Sequence, residues 1–191
     1  MSSTPRPAPD GNHAVVTPYE GTGHRSWDPG ATIPAPLCLH RTPVLPTWVD
    51  YNRHMSESCY LLVFGDNADA FFRYFGVDEA YRAAGRSFFT AETHIHYLRE
   101  AMEGDPLRLT CQVLDVDPKR VHLFQAMVHA TTGALLACAE QMLLHVDLLQ
   151  GRSAPLPPEL FQRLQNIRDA HAVLPTPDQV GRVIGIRRRA A

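Results

Sequence analysis

Between Ser58 and Phe75 the chain reads SCYLLVFGDNADAFFRYF, and apolar residues cover nearly every face of its first half, Cys59 to Phe64. A helix that is apolar all round is a buried one. Ser56 or Ser58 is suited to cap its start. Gly76, just past Phe75, is a natural left-handed residue to end it. A shorter helix is predicted over 78–85, closing at Gly85.

The period then drops from near four to near two. Residues 87–100, SFFTAETHIHYLRE, alternate in part: Phe89, Ala91, Thr93, Ile95 and Tyr97 fall on one face, and Thr90, Glu92, His94 and His96 on the other. Residues 107–116 alternate cleanly through Leu107, Leu109, Cys111 and Val113. Strands over 121–130 and 134–148 follow, separated by the turns DPKR and TTG, so these three are predicted to form an antiparallel meander. Ahead of the long helix, 37–49 is β-like but broken by Pro43 and Pro46. Proline donates no ladder hydrogen bond, so an edge or interrupted strand is expected there. A last helix is predicted over 157–167 with proline in its first turn, and from Leu174 onward the chain reads as loop.

The order is therefore strand, long helix, then four strands. Strands clustered after a helix indicate an α+β fold rather than alternating α/β. One long apolar helix beside about five strands suggests an antiparallel sheet wrapped round a central helix. The 191 residues suffice for one domain, expected over 37–191 with a C-terminal helix and tail. Residues 1–36, rich in Pro, Ser and Gly, are expected to form a flexible extension, with Tyr19 and Trp27 suited to dock on the body. The net charge of −2 provides no basic field for nucleic acid. No apolar run reaches membrane-spanning length and no secretory leader is expected. Four cysteines without a CxxC pair fit reduced thiols and a cytoplasmic location.

Chemistry gathers in WVDYNRHMSESCY, residues 48–60, where Asp50, Asn52 and His54 stand at alternate positions just before the long helix. The first amides of a helix have no intrahelical acceptor, and the helix dipole favours negative charge there. Ser56, Glu57 and Ser58 are thus placed to polarise a carbonyl oxygen. Asp50 is the candidate carboxylate, acting through water as a general base or attacking directly as a nucleophile. The residues do not choose between these, and an Asp in this position is equally suited to cap a turn. Asn52 can orient water or take a positive φ in a turn, and His54 can serve as a helper base near neutral pH. Glu92 is a second carboxylate. His94 and His96 lie two apart on one strand face, but no third ligand is evident and no metal site is expected. Arg120, Arg182 and the 187–189 arginines are candidate phosphate contacts. No glycine-rich cofactor loop occurs, so no cofactor is expected.

DYNRHMSESCYLLVF resembles the signature of the hotdog-fold thioesterases, D-x-N-x-H-x-N-N followed by an apolar helix. The segments FFTAETHIHYLRE, DPKRVHLFQAMVHATTGALLACAEQMLLHVD and GRVIGIRR look like the betainyl-CoA thioesterases of carnitine breakdown, which occur alone or fused to carnitine dehydrogenase. The resemblance spans roughly Leu37 to Arg188. It implies a hotdog fold and hydrolysis of an acyl-CoA, with coenzyme A as part of the substrate. It implies sheets paired into a homodimer or dimer of dimers, with sites at the subunit boundary. It assigns catalysis to Asp50, with Asn52 and His54 beside it. Likeness to plant acyl-carrier-protein thioesterases adds Glu92 as a strand acid near the helix start. A betainyl group ends in a trimethylammonium, which aromatic faces attract; Trp48, Tyr51, Tyr60, Phe89 and Tyr97 are the expected contacts. Two departures stand out: Arg53 where many relatives carry Gly, and Ser56 where they carry Asn. Arg53 is bulky and cationic, which bears on the substrate more than on the reaction. A thioesterase for another acyl-CoA or acyl-carrier protein, or a non-catalytic acyl-CoA-binding protein, is the alternative.

Overall fold

The computed structural model describes residues 17–20 and 24–186. The chain enters through strand β1 (Leu37–Pro43) and a short 3-10 turn (Pro46–Trp48). Helix α1 (Glu57–Phe75) and a small helix α2 (Glu79–Ala83) follow. Strands β2 (Arg86–Tyr97), β3 (Pro106–Val116), β4 (Arg120–His129) and β5 (Leu135–Asp147) come next. A short β6 (Arg152–Ser153) and helix α3 (Pro158–His171) complete the elements.

The strands form one antiparallel sheet in the order β1-β3-β4-β5-β2, with β6 beside β5. The expected meander is β3-β4-β5. The chain leaves β1 at one edge, runs through α1, and returns as β2 at the opposite edge, so α1 is cradled by a curled sheet. Gly76 ends α1 with φ 111°, its N–H reaching the carbonyls of Phe72 and Arg73. Asp78 caps α2 by accepting from the Tyr81 N–H at 2.9 Å.

Two apolar clusters fill the space under the sheet. One joins Phe71 and Phe75 of α1 with Cys111, Val113, Leu123 and Leu143 of the sheet, and α3 closes it with Leu160, Leu164 and Ile167. The other surrounds the first half of α1, where Tyr60, Val63 and Phe64 meet Leu107, Leu109 and Met127. A chain of buried amides fixes how α1 sits on the sheet. Asn67 donates to Gln125 at 2.6 Å and to Cys111 Sγ at 3.0 Å, Gln125 donates to Gln141 at 2.6 Å, and Gln141 donates to Thr93 at 3.3 Å. These donors are paired, as buried polar groups need to be, while Asn67 Oδ1 has no partner among the described residues.

Three expectations change. First, α1 is not buried all round. Leu61 and Leu62 are 47% and 39% exposed and Gly65 is exposed, because this stripe faces away from the sheet of its own chain. Second, β2 does not keep one alternation along its length. Register with β5 shifts between Thr90 and Glu92, leaving Ala91 as a bulge. A bulge moves every later side chain to the other face relative to unbroken alternation. Phe88, opposite His145, points into the core, while Phe89 points outward and is 56% exposed. Beyond the bulge Glu92, His94 and His96 face outward and Thr93, Ile95 and Tyr97 inward, so Phe89 does not share a face with Tyr97. Third, α3 runs on to His171, and the segment after it is tied down. His171 Nδ1 accepts from the Val113 N–H at 2.9 Å, so its Nε2 carries the proton to the Pro34 carbonyl at 3.1 Å. The chain then passes Gln112, which donates to the Pro175 carbonyl at 3.3 Å, and reaches β5, where Gly181 N–H bonds Glu140 at 2.8 Å.

The described residues before β1 also lie against the body. Trp27 packs edge-on to Tyr74 at 5.8 Å, and Tyr19 hydrogen-bonds His40. Glu20 pairs with the fully buried Arg73, which also binds Asp69 and Glu79.

Candidate active site

The motif Asp50 to His54 folds as a tight hairpin turn. Val49 pairs with Met55, the Asp50 N–H bonds the His54 carbonyl at 3.0 Å, and the Arg53 N–H bonds the Asp50 carbonyl at 2.9 Å. Asp50 Oδ1 accepts from the Asn52 N–H at 2.8 Å. The turn-capping role foreseen for Asp50 is therefore real. Its Oδ2 has no partner among the described residues. Asn52 and Tyr51 stand at the exposed tip, Tyr51 at 93% exposure, so neither lines a cavity in this chain. Arg53 holds φ 66°, the left-handed region that glycine adopts more easily.

The hairpin delivers the chain to α1. Ser56 caps the helix by backbone geometry alone, its side chain making no cap bond and standing 3.3 Å from Ser58 Oγ. Its own N–H bonds the Trp48 carbonyl at 2.8 Å. No acceptor among the described residues meets the amides of Glu57 and Ser58. These donors stand at the positive end of a 19-residue helix.

Beside them opens a cleft of about 330 Å³. His54, Met55, Glu57 and Tyr60 form one wall, and the stretch from Tyr97 to Glu100 forms the other. Tyr60 and Tyr97 meet edge to face, ring centres 5.3 Å apart. The Tyr97 hydroxyl donates to the Glu57 carbonyl at 3.3 Å, and the Tyr60 hydroxyl to the Arg99 carbonyl at 3.4 Å. His54 Nε2 lies 3.4 Å from Glu100. Burial raises the Tyr97 pKa and the Glu57 charge adds to it. Burial raises that of Tyr60 too; a backbone contact at Ala101 opposes, and the Glu100 charge adds. Both phenols stay protonated at neutral pH and act as donors.

The structure thus brings together His54, Glu57, Tyr60 and Tyr97 of the expected residues, with Ser56 and Ser58 at the helix start. Trp48 packs half-buried on the core next to the hairpin rather than lining the cleft. Glu92 and Phe89 lie elsewhere in this chain, on the outer face of β2. Glu92 is five residues from Tyr97 and on the opposite side of the sheet, away from the helix start. Glu100 went unnoticed in the sequence, although it follows the inward-facing Tyr97 just before a turn.

The outer face holds its own polar group. His122 Nε2 lies 2.8 Å from Glu140, whose other oxygen takes the Gly181 N–H. Glu92, His94 and Arg182 complete a cavity of about 250 Å³. No three His, Cys, Asp or Glu among the described residues are placed to hold a metal ion. Burial pushes the Cys111 thiol up to about 12 and the Cys138 thiol to about 11, so neither is a nucleophile. Arg120 is paired with Asp117 at 2.6 Å, and the 187–189 arginines lie outside the described residues. No helix among the described residues is long and apolar enough to cross a membrane.

Residues 44–164 match the Thioesterase-like superfamily. A betainyl-CoA thioesterase of Pseudomonas aeruginosa is 45% identical over 151 residues, which cover 78% of this chain and 95% of that protein. An L-carnitine dehydrogenase/betainyl-CoA thioesterase of Rhizobium meliloti is 45% identical over 170 residues. That match covers 86% of this chain but 34% of the relative, so the chain spans about a third of the fused protein's length. Among solved structures, a Staphylococcus aureus protein in complex with CoA superposes with TM-score 0.75 at 26% identity, covering 82% of this chain and 99% of that one. A curled antiparallel sheet round one helix, a hairpin motif at the helix start and these likenesses agree: the chain belongs to the thioesterase-like superfamily, in the family of the betainyl-CoA thioesterases.

Proposed function

We propose that this chain is an acyl-CoA thioesterase that hydrolyses betainyl-CoA to betaine and CoA. The observation that carries the reading is the pair of unpartnered amides at Glu57 and Ser58, opening on a cleft lined by Tyr60 and Tyr97. The thioester carbonyl oxygen would sit on those amides. Such donors, fixed before reaction, stabilise the oxyanion as it forms, and losing one elsewhere costs about a hundred- to a thousandfold in rate. Asp50, its Oδ2 unpartnered at the base of the adjoining hairpin, takes the proton of the attacking water or attacks the carbonyl itself. His54, 3.4 Å from Glu100, is suited to pass protons at the cleft mouth. Asn52 keeps Asp50 oriented through its N–H. The name and extent of the Pseudomonas aeruginosa relative support the substrate.

A second copy belongs to this reading. β2 is a 12-residue strand whose far edge has no neighbour among the described residues, and long open edges invite pairing. Pairing there would set the cleft at Tyr97 near the boundary between copies. Four free thiols support a cytoplasmic location. The test is a panel of acyl-CoA substrates that includes betainyl-CoA, run on wild type and Asp50→Asn. Preferred hydrolysis of betainyl-CoA, lost in the variant, is the expected result. Equal rates in both proteins remove Asp50 from the reaction, and activity confined to long aliphatic chains removes the betaine assignment. Mass measurement in solution checks the dimer.

A further inference from the structure

We infer that the carboxylates of Glu57 and Glu100, together with the rings of Tyr60 and Tyr97, make the cleft selective for acyl groups that carry a permanent cation beside the thioester carbonyl. This deepens the hydrolase reading and rests on it.

The first argument is adjacency. In a betainyl thioester a single methylene separates the quaternary nitrogen from the carbonyl carbon. Whatever holds the nitrogen must therefore adjoin whatever holds the carbonyl oxygen. Glu57 meets that condition alone, because its N–H is one of the unpartnered amides and the same residue lines the cleft. The second argument is size. At about 330 Å³ the cleft lies at the small end of ligand pockets, which run roughly 300–1,000 Å³. It suits a short acyl group rather than an aliphatic chain.

The third argument is chemical. A quaternary ammonium has no N–H, so hydrogen-bond acceptors cannot single it out; only negative charge and aromatic faces can. Tyr97, about half exposed, offers its ring to the cleft, with the buried Tyr60 standing at 89° to it. A cation within about 6 Å of a ring centre is attracted to its face. The negative potential is felt inside the cleft, since the charge of Glu57 adds to the upward shift of Tyr97 and that of Glu100 to that of Tyr60, burial being the larger cause in both. Two groups oppose it. Arg99 lines the cleft, and His54 faces Glu100 at 3.4 Å. Arg99 contributes its carbonyl to Tyr60, and the two groups are met by the two carboxylates of Glu57 and Glu100 on the same lining.

The experiment compares betainyl-CoA with 3,3-dimethylbutanoyl-CoA, in which carbon replaces the nitrogen and the shape is kept. The readout is the ratio of the two kcat/KM values. Wild type is expected to favour the cation. Glu57→Gln with Glu100→Gln should lower the ratio about tenfold, the size expected of two partly exposed charge pairs. Glu103→Gln, an exposed carboxylate outside the cleft lining, should hold the wild-type ratio. A double variant within twofold of the wild-type ratio overturns the inference, as does a wild type that treats both substrates alike. If the double variant does not fold, Glu100→Gln alone, at a side chain 73% exposed, should lower the ratio about threefold. A wild type that hydrolyses neither thioester fails the hydrolase reading itself, a different result from an unchanged ratio.

Discussion

β2 carries two kinds of chemistry back to back. Its outer side presents Glu92, His94 and His96 beneath the segment 181–186, close to His122 and Glu140 of the neighbouring strands. Its inner side presents Thr93, Ile95 and Tyr97 to α1. The two sides carry similar numbers of titratable groups. Yet Glu140 is spent on His122 and on the Gly181 N–H, and among the described residues there His96 Nε2 is the one buried atom without a partner. The inner end leaves two helix amides and one carboxylate oxygen without partners among the described residues. A count of polar residues therefore does not separate the two faces; the difference is that donors at the helix start are held in place and left unsatisfied.

The two faces differ most in stability at the bulge. Phe88→Ala should cost about 3–5 kcal/mol, since that ring is buried against Phe72, Phe75 and His145. Phe89→Ala, one residue on and facing outward, should stay within about 0.5 kcal/mol. Chemical denaturation of both variants checks it, and similar losses would mean the face assignment is wrong.

Helix α1 also holds a protonation, away from the cleft. Burial, with the Asp69 charge behind it, raises Asp66 from 3.8 to about 6. A carboxyl that binds its proton more tightly when folded contributes stability that is full below pH 3.8 and lost as pH rises through about 6. At pH 7 its charge therefore opposes folding. Asp66→Asn should raise stability there by about 1 kcal/mol, the full shift being reduced for solvent screening. The gain should vanish below pH 3.8 in a denaturation series against pH.

Smaller effects sharpen the account of the helix start. Tyr97→Phe removes the hydroxyl that steadies the Glu57 carbonyl and should lower kcat about fivefold, as measured in steady-state assays. Arg53→Gly relieves a left-handed residue at the hairpin, partly offset by the added freedom of glycine. A gain of about 0.5 kcal/mol in denaturation is expected.

Much of this was legible in the sequence. The β3-β4-β5 meander followed from clean alternation and short turns, and the end of α1 from Gly76. The start of α1 followed from the Ser56–Ser58 cap signals. Asp50 was readable both as a turn cap and as a reactive carboxylate, and the structure shows the first of these, with its Oδ1 accepting from the Asn52 N–H. The bulge was not legible, because FFTA contains an apolar or small residue at either parity and one extra residue leaves no compositional mark. That is why Phe89 and Glu92 were expected at the site and are found across the sheet. The exposed stripe at Leu61 and Leu62 was hidden for a similar reason, since apolar residues on all sides of a helix do not say which side the sheet covers. The path of the segment after α3 depends on contacts between Gly181 and Glu140, 41 residues apart, which no local pattern encodes. The buried amides did leave a signal: Gln125 and Gln141 are polar residues at inward positions of otherwise apolar strands.

One assay sets the two faces of β2 directly against each other: kcat/KM for betainyl-CoA in Asp50→Asn and in Glu92→Gln. Chemistry at the helix start predicts a fall of at least about a hundredfold for Asp50→Asn and less than about a twofold change for Glu92→Gln. The reverse ranking, with Glu92 indispensable and Asp50 dispensable, would contradict it.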